Sequence, residues 1–363
     1  MLQPSKEPQR RIKVLIVDDS ALIRKLLTRC LQSDPAIEVV GAARDAYMAR
    51  DMIKRINPDV LTLDIEMPGM DGLSFLKNLM RLRPMPVVMV SSLTERGAEV
   101  TLRALDYGAV DFVRKPKVDL EHGMQRCADD LIRKVKAAAI AKVSALARIA
   151  SQTDHDVHQK PAAKPKPTNA CRASNQIIAI GASTGGTEAV KEVLMGLRPD
   201  APGIVITQHI PPMFSRSFAE RMDRCSALAV CEAEDGQVIH VGHVFIAPGD
   251  RHLRVVRDGA KFRCRLSNEA AVNHHRPSVD VLFESVVTSA GSNAIGVILT
   301  GMGSDGAKGL RQMLDSGAHT LVQDEASSVV WGMPRVAFEL GAAKEVLPLT
   351  EVAKTLNTLT KVG

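Results

Sequence analysis

Two groups of residues in this chain have the types and spacing to do chemistry. The first centres on Ser183, in the stretch IIAIGASTGGTEAVKEVL at residues 177–194, where one serine stands in a glycine-rich corner between an apolar run and a helical pattern. A serine hydroxyl becomes a useful nucleophile only when a base takes its proton, and the base works best when a carboxylate fixes its tautomer. His209 follows the next apolar run, GIVITQ, and Asp305 follows AIGVILT within TGMGSDGAKG. The second group is acidic: Asp18, Asp19 and Asp64, with Ser91 and Lys115, each at the end of successive apolar runs. Three carboxylates can hold a magnesium ion, which prefers oxygen ligands and keeps waters for an incoming phosphate. A carboxylate beside it can attack phosphorus and become an acyl phosphate, with the metal and Lys115 neutralising the transferred charge.

Such convergence requires particular elements. From residue 12 to 113 short β-rich runs alternate with helical patterns: IKVLIV, ALIRKLLTRCLQ, IEVVGAA, DAYMARDMIKRI, PDVLTLDI, DGLSFLKNLMRL, PVVMVSS, RGAEVTLRALDYG and VDFV. In the first helix, positions 22, 23, 26, 27, 30 and 31 form one apolar face. Five β/α units with short loops imply a parallel sheet covered on both faces, whose strand ends open onto one crevice. A second βα series starts at Gln176, with a β-rich middle (HVFIAPG, HLRVVR, KFRCRL) that reads as an antiparallel excursion near 243–266. The expected architecture is α/β: two doubly wound parallel-sheet domains, the first flavodoxin-like and the second Rossmann-like and mostly parallel, joined by a flexible linker. The expected boundaries are 11–130, 131–174 and 175–363. Residues 131–150 favour helix and are expected to extend the fifth helix outward as a solvated basic helix. Residues 151–174, with Pro161, Pro165 and Pro167, read as an extended linker.

Each site residue has a plainer reading when taken alone. Asp19 or Ser20 can cap a helix, Asp64 can begin a turn, His209 before Ile-Pro-Pro can be a turn residue, and Asp305 can cap the helix after it. For GASTGG a dinucleotide loop competes, but that loop is G-x-G-x-x-G with an acid about 20 positions on. Here the spacing is G-x-x-x-G-G, and GIVITQH contains no acid. Gly181 to Gly185 instead fits the G-x-S-x-G elbow. The chain order Ser, His, Asp differs from that of α/β-hydrolases, so that fold is not supported. Glycines 301, 303 and 306 permit a backbone N–H such as that of Met302 to point into the site as an oxyanion donor.

Composition removes several function classes. The 363 residues carry a formal net charge of +6. Residues 1–130 account for +1, 131–174 for +7 and 175–363 for −2, so neither folded half presents a basic excess for nucleic acid. No apolar run reaches the roughly 18 to 20 residues of a membrane span, and MLQPSKEPQRR lacks a signal peptide's apolar stretch, so the cytoplasm is the expected compartment. Six cysteines show no C-x-x-C pair, and the closest histidine clusters, His240 with His243 and His274 with His275, lack zincin spacing and read as structural.

VLIVDDSALIRKLL, LDIEMPGMDGL, MVSS and FVRKP resemble the receiver domain of two-component response regulators. That resemblance implies phosphorylation of Asp64 by a chemotaxis histidine kinase, with Mg2+ held by Asp19, Asp64 and the Glu66 carbonyl and Asp18 acting through water. It also implies Ser91 as the switch hydroxyl, Lys115 as the phosphate partner, and an aromatic switch at position 112. Phe112 stands there in place of the commoner tyrosine and has no hydroxyl to donate. Residues 176–350 resemble the catalytic domain of the chemotaxis protein-glutamate methylesterases, the CheB family, through IGASTGGTEAV, TQHIPPMFSRSFAERM, FIAPGD, HHRPSVDVLF, ILTGMGSDGAKGL and VVWGMPRVA. The resemblance implies Ser183 as nucleophile, His209 as base then acid, Asp305 as orienter, and Met302 and Thr184 as oxyanion donors, with no cofactor at that site. The implied substrates are glutamyl methyl esters, and glutamines, of methyl-accepting chemoreceptors. A monomer is expected, without nucleic acid and without a membrane span. His275 and Arg276 are readable either as substrate-binding or as structural.

Overall fold

The computed structural model describes residues 10–91, 95–115, 121–142 and 175–360. The chain divides into two compact units. In the first, strands β1 (Ile12–Val17), β2 (Ile37–Ala43), β3 (Val60–Asp64), β4 (Val87–Ser91) and β5 (Asp111–Arg114) form one sheet in the order β2-β1-β3-β4-β5. All of its pairings are parallel. Every residue of β3 and β4 is buried, as a sheet covered on both faces requires. The strand order reverses between β1 and β3, where an open α/β sheet leaves a crevice beyond its carboxyl ends. Helices α1 (Ala21–Gln32), α2 (Ala46–Ile56) and α3 (Gly72–Leu82) begin at side-chain caps, Ser20, Asp45 and Asp71, whose oxygens accept from Ile23, Met48 and Ser74 N–H. Helices α4 (Glu95–Asp106) and α5 (Glu121–Ala139) complete the unit.

Two expectations here need correction. On the expected apolar face of α1, Leu27, Cys30 and Leu31 are buried but Leu22 is 53% exposed. The first turn of α1 begins level with the carboxyl edge of the sheet, past the apolar layer. Residues 131–139 are also not a solvated extension: they are the second half of α5, which packs on β5 and α1 and stops at Ala139. Leu131, Val135 and Ala138 are buried. Lys134 is 3% exposed, its Nζ donating to Phe112 O at 2.5 Å and pairing with Asp111 at 3.1 Å. Residues 143–150 and the expected linker 151–174 lie outside the described residues.

In the second unit a seven-stranded sheet runs β15-β14-β13-β6-β7-β10-β8, and each of its pairings is parallel. Its strands are β6 (Ile177–Ala182), β7 (Gly203–Gln208), β8 (Ala229–Glu232), β10 (His243–Ile246), β13 (Ala294–Ile298), β14 (His319–Gln323) and β15 (Glu345–Leu347). The antiparallel part is a separate sheet, β11-β12-β9, from β9 (Val238–Ile239), β11 (His252–Asp258) and β12 (Lys261–Ser267). HVFI, expected in the antiparallel excursion, is β10 and lies in the parallel sheet, because all three of its core residues pair with β7. The helices are α6 (Gly186–Gly196), α7 (Pro212–Cys225), α8 (Val279–Ala290), α9 (Ala307–Asp315), α10 (Met333–Glu339) and α11 (Leu349–Leu359). The chain leaves β6 toward β7 on one side and returns to β13 on the other, so the second crevice opens at the end of β6. No described helix is long and apolar enough to cross a membrane.

Candidate functional site

At the end of β6 the backbone turns into α6 through Ser183, Thr184 and Gly185. Gly185 has φ 76°, and a Cβ there would meet Val329 Cβ at 2.7 Å, so both conformation and space demand glycine. The Ser183 carbonyl accepts from Gly186 N–H (2.7 Å) and Gln208 Nε2 (2.9 Å), and its N–H donates to Thr300 O (3.1 Å). These bonds fix the serine over the end of its strand. Across from it, a Cβ on Gly301 would meet Ser183 Cβ at 2.7 Å, so the β13 loop reaches the serine only because glycine stands there. Met302 follows directly. Gly301 is held in place by its N–H on Val330 O (3.0 Å) and by Met333 N–H on its carbonyl (2.8 Å). The Thr184 carbonyl accepts from Thr300 Oγ1 at 3.0 Å.

Ser183, His209 and Asp305, which come from three different strand ends, lie in one line. His209 Nδ1 is 3.1 Å from Ser183 Oγ, and His209 Nε2 is 2.9 Å from Asp305 Oδ2. A carboxylate oxygen only accepts, so the ring proton sits on Nε2 and Nδ1 keeps a lone pair for the serine O–H. Ser183 and Asp305 are 3% and 1% exposed. Asp305 Oδ2 also accepts from Val279 N–H (2.7 Å), and Oδ1 from Ser278 Oγ (2.7 Å), Asn273 Nδ2 (2.7 Å) and Asp280 N–H (3.3 Å). Burial pushes the Asp305 carboxyl up, but the hydrogen bond from His209, the attraction to that ring when it is protonated, and the Asn273 and Val279 donors outweigh it. The group is held well below the usual carboxylate range and stays ionised through neutral and mildly acidic pH.

Several residues around this line were not singled out from sequence: Gln208, Asn273, Ser278 and Asp280. Gln208 reaches the Ser183 carbonyl, Asp280 gives a backbone N–H, Asn273 depends on a tight turn, and Ser278 uses its hydroxyl, so no common spacing marks them. The nearest clue was the run NHHRPSVD at 273–280. Of the two residues left open there, the His275 ring stacks on His209 with centroids 3.7 Å apart and planes at 10°. Arg276 instead grips Asp250 Oδ1 (2.7 Å) and the carbonyls of Asn268 and Glu269 (3.0 Å each), a structural arrangement.

In the first unit Asp18, Asp19 and Asp64 present carboxylate oxygens within 4.8 Å of one another. Lys115 Nζ donates to Asp64 Oδ2 at 2.6 Å and lies 3.2 Å from Asp18 Oδ2, which accepts no hydrogen bond. Glu66 is exposed, and its N–H donates to Asp64 Oδ1 at 3.3 Å. A cleft of about 600 Å³ opens beside the carboxylates, with Asp19 and Glu66 in its wall. Thr101 Oγ1 is 2.7 Å from Ser91 Oγ, and the Phe112 ring is buried with the Lys134 ammonium 5.0 Å from its centre. The cluster suits a divalent cation by its donor set: three hard oxygen ligands, one of them a buried oxygen with no hydrogen bond.

Burial pushes the Asp64 carboxyl up to about 6, aided by the Asp18 charge and opposed by Lys115. Folding therefore favours the protonated form, and this contribution to stability is full below about pH 4 and lost as pH rises through about 6. At neutral pH the ionised Asp64 costs stability. Asp64→Asn should raise the unfolding transition of the first unit, in the full chain, by about 1–3 kcal/mol at pH 7.5 in metal-free buffer, since Lys115 loses a partner but the buried charge is gone. Calorimetry at pH 7.5 and pH 4.5 checks it: the gain should shrink at the lower pH, and an unchanged or lowered transition at pH 7.5 contradicts it.

Comparison with known proteins places names beside this geometry. A family model described as CheB methylesterase matches residues 178–356, and one described as response regulator receiver domain matches 14–127. A protein-glutamate methylesterase/protein-glutamine glutaminase 1 of Xanthomonas campestris pv. campestris is 58% identical over 349 residues, covering 96% of this chain and 97% of that protein. The protein of the same description from Hahella chejuensis is 57% identical over 345 residues, covering 95% of each. The crystal structure of the Thermotoga maritima CheB methylesterase catalytic domain is 39% identical with a TM-score of 0.50, covering 51% of this chain and 99% of that one.

Proposed function

The chain belongs to the CheB methylesterase family, with a response regulator receiver domain ahead of the esterase domain, and from that premise we propose how its residues work. It is a phosphorylation-regulated protein-glutamate methylesterase and protein-glutamine glutaminase of chemotactic adaptation. Ser183 is the nucleophile, His209 the general base and then acid, and Asp305 the orienting carboxylate. One observation carries this reading: the unbroken line from Ser183 Oγ to His209 Nδ1 (3.1 Å) and from His209 Nε2 to Asp305 Oδ2 (2.9 Å).

The reaction follows from that line. His209 Nδ1 takes the Ser183 proton as Oγ attacks the γ-carbonyl carbon of a glutamyl methyl ester. In this reading the N–H groups of Met302 and Thr184 are the oxyanion donors, stabilising the oxygen that gains charge. The imidazolium, stabilised by ionised Asp305, then returns its proton from Nδ1 to the methoxy oxygen, and methanol leaves. Water, deprotonated by His209, attacks the acyl-serine and releases the glutamate carboxylate and Ser183. With a glutamine substrate the leaving group is ammonia.

In the receiver domain, Asp64 is the phosphoacceptor, its carboxylate oxygen forming the bond to phosphorus. Asp19, Asp64 and the Glu66 carbonyl would hold Mg2+, with Asp18 acting through water. When bound, that ion supplies positive charge beside the carboxylates and the incoming phosphoryl group. Lys115, already on Asp64, pairs with the phosphoryl oxygens, and Ser91 and Phe112 are the switch residues. The phosphodonor is a chemotaxis histidine kinase, and the protein substrates are methyl-accepting chemoreceptors. The protein acts as a cytoplasmic monomer, and nucleic acid is not among its partners.

The regulatory half is tested by methanol release from methylated receptor, with and without a small-molecule phosphodonor and Mg2+. Wild-type turnover should rise about fivefold or more, a typical coupling free energy. Asp64→Asn should give one rate in both conditions, and stimulation of that variant would move the phosphoacceptor elsewhere.

A further inference from the structure

Residues Val272 to His275 form a two-residue turn that touches two members of the Ser183 line. Val272 N–H donates to His275 O at 3.0 Å and His275 N–H to Val272 O at 2.9 Å, while the two residues between, Asn273 and His274, have φ of 52° and 66°. Left-handed backbone at both central positions is the geometry of the tightest hairpin turns, and asparagine is among the few side-chain-bearing residues that accept it readily. The turn places Asn273 on the acid and His275 on the base. Asn273 Nδ2 donates to Asp305 Oδ1 and to Asp280 Oδ2, both at 2.7 Å, and the His275 ring stacks on His209 at 3.7 Å.

We infer that Asn273 is a positioning residue that sets the balance between deamidation and demethylation. This inference rests on the serine-hydrolase reading above.

Asp305 and Asp280 are buried carboxylates, 1% and 4% exposed, whose like charges repel. A single NH2 group gives one hydrogen to each, so the bridge is chemically directional: turned over, the amide oxygen would face two anions. Segment 278–280 holds Asp305 from one side through Ser278 Oγ and the Val279 and Asp280 N–H groups. Asn273 holds it from the other. With Oδ1 occupied by Asn273 and Ser278, the carboxylate keeps Oδ2 on His209 and resists rotation. The carboxylate oxygen is thereby held on the His209 ring at 2.9 Å.

That lock matters unequally for the two reactions. Methoxide is a tolerable leaving group and needs the His209 proton less. Ammonia leaves only after its nitrogen has received the proton from Nδ1, so a small misalignment of the ring penalises the amide more. Misplacement on the scale of 1 Å can cost about 10²-fold in rate.

The test uses the full-length protein with two receptor substrates, one methylated and one carrying the glutamine, and reads methanol and ammonia. Asn273→Gly suits the left-handed backbone and removes only the amide. It should lower the unfolding transition, because two buried carboxylates lose their shared donor, and keep its KM values within about twofold, while kcat falls about tenfold for the ester and about a hundredfold for the amide. Asn273→Asp keeps the size but sets a third carboxylate against two, and should lower both rates further. The amide-to-ester ratio is the decisive quantity, because loss of folded enzyme lowers both rates in proportion. A ratio within about twofold of wild type in Asn273→Gly, or wild-type turnover in Asn273→Asp, overturns the inference. Ser183→Ala is run alongside: turnover in that variant overturns the serine-hydrolase reading itself, whereas an inactive Ser183→Ala with an unchanged ratio in Asn273→Gly overturns the positioning role alone.

Discussion

Ser183→Ala should abolish methanol and ammonia release, by about four to six orders of magnitude, and leave phosphorylation of Asp64 untouched. The effect is this large because the hydroxyl is the nucleophile that His209 Nδ1 contacts, at 3.1 Å. Without it, His209 can at best activate a water that no backbone N–H positions. The fold should not notice. The serine backbone is held by Gly186 N–H, Gln208 Nε2 and Thr300 O, none of which uses Oγ. Loss of this one oxygen at the end of its strand leaves the seven-stranded sheet as it was. Residual activity within about a hundredfold of wild type would mean that another group attacks the ester.

Asp305→Asn is the second large effect, and here activity and stability fall together. All five groups around this carboxylate donate: His209 Nε2 and Val279 N–H to Oδ2, and Ser278 Oγ, Asn273 Nδ2 and Asp280 N–H to Oδ1. An amide has one acceptor oxygen, so one side of the cradle must face an NH2. If that side is Oδ2, the imidazole is driven to the tautomer with its proton on Nδ1, and it no longer accepts from the serine. If it is Oδ1, buried donors lose their acceptor. Either way the neutral amide cannot stabilise the imidazolium. Turnover should fall about 10⁴-fold. The esterase-unit unfolding transition should drop by about 2–4 kcal/mol, the scale of an uncompensated buried polar cluster. Calorimetry and methanol release on the same preparation check both. Full activity would show that the carboxylate only builds the fold, and an unchanged transition would show that the cradle is more adaptable than its geometry implies.

Much of this was legible in the sequence for a definable reason. Strands buried on both faces, such as VLTLD and VVMVS, read as near-continuous apolar runs, broken in the first only by Thr62, and the polar residue that ends each run falls at the carboxyl edge. That is why Asp18, Asp19, Asp64, Ser91 and Lys115 on one sheet, and Ser183, His209 and Asp305 on the other, were identifiable as groups. Short or edge elements carried no such signal: β8 and β15, and helices α10 and α11, were not anticipated. HVFI looked antiparallel because it sits beside a true antiparallel hairpin, and only its pairing with β7 reveals its sheet. The basic composition of residues 131–139 suggested solvent, yet Lys134 is buried on the Phe112 carbonyl and Asp111, a tertiary pairing that composition does not encode. The supports of Asp305 were the least legible part. Two are backbone N–H groups at the start of α8, and a third depends on the left-handed backbone at Asn273.

The most direct measurement is methanol release from methylated receptor by the full-length wild type, Ser183→Ala and Asp64→Asn, each with and without a phosphodonor and Mg2+. The account predicts stimulated release for wild type, one unstimulated rate for Asp64→Asn, and none for Ser183→Ala in either condition. Release by Ser183→Ala, or stimulation of Asp64→Asn, would contradict it.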